Sequence, residues 1–322
     1  MNFVTVAGQR VGPMTSIMAR HTWHHRDATA ACVRLDDPGL MRQLQSITVA
    51  LIATVAASCA TGSAIDRAYL AGVEAAERQA VAFAPITDTA PETTLEEAYG
   101  LQRRLIARRV ARGDRVVGYR GSLMSQASLK ARNVTEPLAG ALFHSGRIES
   151  GGVALLCGYR KASFELKIGY LFTRDVAAAD PDIDTLRHAV GNVIPVVDLP
   201  DIAYRNPDKY SAVDMVASNI SASRYVVGEE HSPRNIDLDS LRVAMTRAGG
   251  RVASGTGRES FDNQWESLAM VVRQIIKSGR RVAPGDLVIT GKIGERGWLS
   301  PGLYRADYGP LGIVDFTVAA CS

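Results

Sequence analysis

The sequence predicts an α+β fold, with helices gathered early in the chain and strands filling most of the remainder. Three observations carry this. Residues 65–83 are alanine-rich with apolar positions at helical spacing, and Thr94 and Glu97 form a capping box ahead of a second helical run through Ala98, Leu101 and Leu105. Phe164, Leu166, Ile168, Tyr170 and Phe172 alternate with Glu165, Lys167 and Gly169, which is the period of a strand. From residue 238 onward, short apolar runs alternate with the turn signals Gly249-Gly250 and Pro284-Gly285-Asp286.

Going along the chain, the first forty residues show neither helical nor strand periodicity. They hold His21, His24 and His25, which on an unpatterned segment read as disorder more readily than as a metal site. Met41-Arg42, the apolar run 47–57 and the small residues before Cys59 have the shape of a secretory signal. Cys59 resembles the lipidated cysteine of a bacterial lipoprotein, although Ala56 stands where leucine is usual. The expectation is that Met41 is the true start, residues 1–40 are non-native or disordered, and 41–58 are signal-like. The protein is then periplasmic or an envelope lipoprotein, touching the membrane only through a lipid on Cys59. The competing reading is a buried N-terminal helix in a cytoplasmic protein.

Residues 59–115 read as a helical part, closed by Gly113, and 116–322 as a β-rich domain. Val116 to Gly121 reads as a strand entering a turn, Ser125 to Ala131 as a short helix, and Leu142-Phe143 as the next apolar stretch. A strand over 163–172, a helix over 182–190 and a buried strand over 193–197 follow. Strands are expected at 223–228, 238–248, 287–290 and 309–319, and a helix from Phe261 to Ile276 ends at Gly279.

Composition narrows the function classes. The 322 residues carry a net charge of only +4, so no nucleic-acid footprint is present. A G-x-S-x-G nucleophile elbow, a complete phosphate loop, a dinucleotide fingerprint and H-E-x-x-H are all absent. Among the four cysteines no C-x-x-C occurs, and whether Cys157 and Cys321 pair is left open.

Several segments together resemble the fumarylacetoacetate hydrolase superfamily, in its 2-keto-4-pentenoate hydratase branch. They are LEEAYGLQ from Leu95, Gly118-Tyr119-Arg120, EPLAGALF at 136–143 and FELKIGYLFTRDV at 164–176. VIPVVD at 193–198, DMVASNISASRYVVG at 214–228, SGRRVAPGDLVITGKIG at 278–294 and the closing ADYGPLGIVDF continue the series in order. The resemblance implies a small N-terminal helical part, a β-rich barrel or roll domain, homo-oligomers, and Mg²⁺- or Mn²⁺-dependent chemistry on 2-oxo acids.

The chain departs from the family at the metal. Glu165 fits the first carboxylate ligand, but Lys167 stands at the second, and Pro195 falls at the third with Asp198 the nearest acid. Arg120 replaces a lysine, Leu138 an acid and Lys292 a hydroxyl. A divalent cation beside Lys167 would meet repulsion on the order of several kcal/mol in a low-dielectric site. The expectation is therefore no metal and no other cofactor. A hydro-lyase on a small 2-oxo acid is expected to use Glu165, Lys167, Asp198 and Lys292 as catalytic groups. Arg120, Ser122 and Asn219 are expected to hold the substrate. Three alternatives stay open: a catalytically degenerate carboxylate binder of the cell envelope, a structural ion-pair network among Glu165, Lys167 and Asp198 in a vacated pocket, and an interaction protein that uses only the family's oligomer surface.

Overall fold

The computed structural model describes residues 49–206 and 208–321, with side chains from residue 64. The chain divides into two units, Met1–Ala56 and Ala57–Ser322, and the second carries the site. The histidines at 21–25, the start at Met41 and residues 41–48 of the signal-like stretch lie outside the described residues, as do the side chains of 49–58 and of Cys59. Among the described residues no helix is long and apolar enough to cross a membrane.

Helix α1 (Val49–Gln79) stops where Ala80 takes a positive φ of 52°, earlier than the expected end near Phe83. Helix α2 (Leu95–Ala111) opens on the predicted capping box, with Thr94 accepting from the Glu97 amide and Glu97 accepting from the Thr94 amide. The chain continues through β1 (Val116–Ser122), α3 (Gln126–Ala131), β2 (Leu138–Phe143), β3 (Arg147–Glu149) and β4 (Val153–Leu155). Strand β5 (Ser163–Phe172) has the bounds its alternation predicts. It is followed by α4 (Ile183–Ala189), β6 (Val190–Leu199), α5 (Ala212–Ala217) and β7 (Arg224–Val227). The last stretch holds β8 (Arg242–Arg247), β9 (Gly250–Thr256), α6 (Gln264–Lys277), β10 (Leu287–Trp298), β11 (Gly302–Asp307) and β12 (Ile313–Ala319).

The strands form a seven-stranded sheet, β2-β1-β10-β5-β6-β7-β3, and a five-stranded sheet, β4-β12-β11-β8-β9. One core joins them: Phe164 and Tyr170 of β5 pack with Met245 of β8, Tyr304 of β11 and Phe316 of β12, and the apolar face of α6 lies against the same cluster. A second core holds the helical part, where Leu70 and Val73 of α1 meet Leu101 and Leu105 of α2 and Val216 of α5.

Three expectations change. The strand expected over 238–248 begins at Arg242, because Leu238 and Leu241 are buried from a loop. Strands β3, β4 and β11 have no counterpart in the sequence reading; two of them are three residues long, too short for alternation to register. Strand β10 runs to Trp298 rather than stopping at Thr290, because its ladder with β5 is interrupted by a register shift between Thr290 and Ile293 and then resumes. Gly291, at a φ of 83°, sits in that bulge.

Cys157 and Cys321, left open by the sequence, form a disulfide across 164 residues, at the edge where β4 runs parallel to β12. Because the strand pairing already holds that edge, the bridge is expected to contribute at the ordinary level, about 2–4 kcal/mol. Thermal unfolding with and without dithiothreitol should show a drop of roughly 4–12 °C on reduction, and no drop in Cys157→Ser.

Candidate functional site

The floor of the site is made by three neighbouring strands and one that pairs alongside. Strand β5 pairs antiparallel with β6 and sets Glu165 directly opposite Asp198. Two carboxylates facing each other across a strand pair repel. Two bases answer them. Arg120, from β1, places Nη2 2.7 Å from Asp198 Oδ2 and 3.5 Å from Glu165 Oε2. Lys167, two residues along β5 from Glu165, places Nζ 3.1 Å from Glu165 Oε2 and 3.9 Å from Asp198 Oδ2. The ammonium also donates to the Gly291 carbonyl, which the β10 bulge turns inward, and to Gly121 O at 3.4 Å. The cluster is thus charge-balanced and buried: Lys167 and Asp198 are each 1 % exposed.

The two acids differ in environment. Burial raises the Glu165 carboxyl, but Lys167 and then Arg120 more than offset this and hold it below its ordinary value. Burial raises the Asp198 carboxyl, and the nearby Glu165 charge adds to that, so it lies above its ordinary value despite Arg120 and Lys167. Only Glu165 faces open space, its side chain 16 % exposed against 1 % for Asp198.

That space is a cavity of about 430 Å³ lined by Glu165, Lys167, Ser122 and Lys292. The sequence reading missed Arg132, Tyr210, Met215, Glu259 and Arg296, which also line it. Their positions carry no local signal; Arg132 follows a short helix and is held at the cavity by donating Nη1 to Tyr210 O and by lying 4.0 Å over the Tyr210 ring. Glu259 is held by the amides of Thr256 and Gly294, at 2.8 Å each. Lys292 Nζ donates to Gly294 O at 2.6 Å.

The structure brings Arg120, Glu165, Lys167 and Asp198 into one contact cluster and puts Ser122 and Lys292 on the cavity wall. It corrects the expected role of two residues. Arg120 is 2 % exposed and absent from the cavity wall, and it spends Nη1 on Ile220 O, so it anchors the floor and does not grip substrate. Asn219 accepts from the Ala141 amide at 2.7 Å and donates to Ala141 O at 3.0 Å, so its amide clamps β2 and is not offered to a ligand. The positive charge free to meet an anion comes from Lys292, Arg132 and Arg296, with Lys167 behind them.

A hard cation needs about six oxygen ligands. Here both cluster carboxylates are already in contact with basic groups, and among the described residues no three His, Cys, Asp or Glu side chains converge. In this arrangement Glu165 and Asp198 are both engaged by Arg120 and Lys167.

Arg120→Met should leave Asp198 buried with its nearest base at 3.9 Å. Urea unfolding at pH 7 is expected to show a loss of about 3–5 kcal/mol. The loss should shrink toward pH 5, because the unpaired carboxyl then takes up a proton. Asn219→Ala should cost about 1–3 kcal/mol in the same measurement and leave KM for any substrate unchanged.

No family model matches the chain. It is 29% identical over 222 residues to the 2-keto-4-pentenoate hydratase of Paraburkholderia xenovorans (strain LB400), covering 68% of this chain and 82% of that protein. It is 30% identical over 225 residues to a 4-oxalocrotonate decarboxylase of Pseudomonas sp, covering 70% of this chain and 87% of that protein. The solved structure of 4-oxalocrotonate decarboxylase from Pseudomonas putida G7, complexed with magnesium and adipate, superimposes with a TM-score of 0.76 at 26% identity, covering 80% of this chain and 98% of that one. That magnesium overturns the expectation of no divalent cation, which was read from Lys167 at the second ligand position and Pro195 at the third. The order of segments, the two-sheet architecture and these likenesses agree: the chain belongs to the fumarylacetoacetate hydrolase superfamily, in its branch of 2-keto-4-pentenoate hydratases and 4-oxalocrotonate decarboxylases.

Proposed function

We propose that the chain is a lyase of hydratase type acting on a small 2-oxo acid. The observation that carries this is the Glu165–Lys167 pair, 3.1 Å apart, at the floor of a cavity whose wall carries Arg132, Lys292 and Arg296. Relatives named for 2-keto-4-pentenoate and 4-oxalocrotonate, and one solved with adipate, support a small carboxylate as ligand.

In this reading the substrate carboxylate is received by the basic wall, with the Ser122 hydroxyl as a further hydrogen-bonding group. The 2-oxo oxygen points to the floor, where the Lys167 ammonium stabilises negative charge as an enolate forms. The ionised Glu165 takes the 2-hydroxyl proton and returns it to the far end of the diene, giving the conjugated 2-oxo acid. Water then adds across the remaining double bond, its oxygen bonding to carbon 4 and its proton going to the carbon next to the 2-oxo group. The lowered carboxyl of Glu165 keeps that residue ionised at neutral pH at the expense of basicity, which the ammonium offsets by polarising the carbonyl. Asp198 stays behind the floor and fixes Arg120. Lys292, tied to Gly294 O, binds and does not transfer the proton.

The test is turnover of 2-hydroxypenta-2,4-dienoate and 4-oxalocrotonate by the full chain, with magnesium supplied. Activity is expected, with kcat lowered by about 10²–10⁴ in Glu165→Gln. Because Glu165 is held below its ordinary value, kcat/KM should stay level as pH falls to the usual carboxylate range of about 4.3 and decline only below it. Carboxylate binding without turnover of either compound would overturn the proposal in favour of a non-catalytic binder.

A further inference from the structure

A second cavity, of about 330 Å³, lies outside the site just described and is lined by Arg109, Arg160 and Arg224 with Glu77 and Asp201. Its volume falls at the lower end of small-molecule sites, which run about 300–1,000 Å³. Two of the arginines are matched. Arg109 Nε donates to Asp114 Oδ2 at 2.8 Å, and Arg160 Nε lies 3.1 Å from Asp201 Oδ2. Asp201 is committed further, accepting from the amides of Arg160 and Lys161 at 3.0 and 2.8 Å.

Arg224 is different. Among the described residues no carboxylate lies within ion-pair distance of it, its Nη1 is buried without a hydrogen-bond partner, and its guanidinium lies 4.8 Å from the centre of the Tyr159 ring. A buried donor left unmade costs about 1–3 kcal/mol, more when charged. The backbone is shaped to hold this group: a Cβ on Gly158 would come within 2.7 Å of Arg224 Nη2. The wall around it is hydroxyl-rich, with Ser145, Ser221 and Ser223.

We infer that this cavity is a second binding site, for a small polar organic anion whose single carboxylate or phosphate meets Arg224. A guanidinium matches either oxyanion in a bidentate fork, and the serine hydroxyls suit a hydroxylated remainder. Arg109 and Arg160 are matched by Asp114 and Asp201, which leaves Arg224 as the anion's partner. Glu77, exposed at the rim, disfavours a second negative charge on the ligand.

The experiment is calorimetric titration of the full chain with inorganic phosphate and with glycerate, each in the wild type, Arg224→Gln and Lys292→Gln. The expected result is saturable binding of at least one probe, weakened at least about tenfold by Arg224→Gln and unchanged by Lys292→Gln. Glu77→Gln should tighten it. Binding lost in Lys292→Gln and intact in Arg224→Gln would put the anion in the first cavity and overturn the inference, as would no binding of either probe. If Arg224→Gln does not fold, Ser223→Asp places a negative charge on the same wall and should abolish binding; retained binding overturns the assignment.

Discussion

An ammonium taken out of water must be met by anions and acceptors at contact distance, and the seven-stranded sheet is arranged so that Lys167 meets this condition. The register of β5 on β6 supplies Glu165 and Asp198 together, β1 supplies Arg120 to balance the second acid, and the bulge in β10 supplies the Gly291 carbonyl. Shifting β5 by one residue would send Glu165 and Lys167 to the opposite face and leave Asp198 and Arg120 without them. Such a network is weak evidence for stability, since an apolar replacement of similar shape is often as stable. What it fixes is position: Glu165 is held at the cavity floor in one rotamer and in its charged form.

This arrangement separates two kinds of positive charge. Arg120 is spent within the cluster, whereas Lys167 is paired there with Glu165 and also lines the cavity floor. Arg132, Lys292 and Arg296 are on the wall, where an incoming carboxylate meets them first. The solved decarboxylase holds magnesium and adipate, and this chain carries a base, Lys167, on the same strand as Glu165.

The segment 218–223 ties the ion cluster to the helical part. Asn219, Ile220 and Ser221 all take positive φ, between 54° and 58°, a conformation that is uncommon for any side chain and costly for β-branched isoleucine. The strain is held by the Asn219 clamp on β2 and by Arg120, which donates to Ile220 O from the floor of the first cavity. Ser221 and Ser223 of the same segment line the second cavity. The backbone that lines the second cavity is therefore fixed from one side by β2 and from the other by Arg120 of the ion cluster.

The sequence by itself determined the elements whose signals are local. Alternation gave β5 its bounds, the Thr94–Glu97 pair started α2, and the period of two already put Glu165 and Lys167 on one face. The ordered segments identified the family. Only the tertiary structure decided what those side chains do, because burial and pairing depend on groups brought from distant positions. Asn219 reads as a ligand until its partner at Ala141 is known, and Arg120 as a substrate grip until Asp198 is seen 2.7 Å away. Arg132 and Arg296 carry no pattern at all; they reach the cavity through a stacked tyrosine and a bulged strand, neither of which is written in their neighbours.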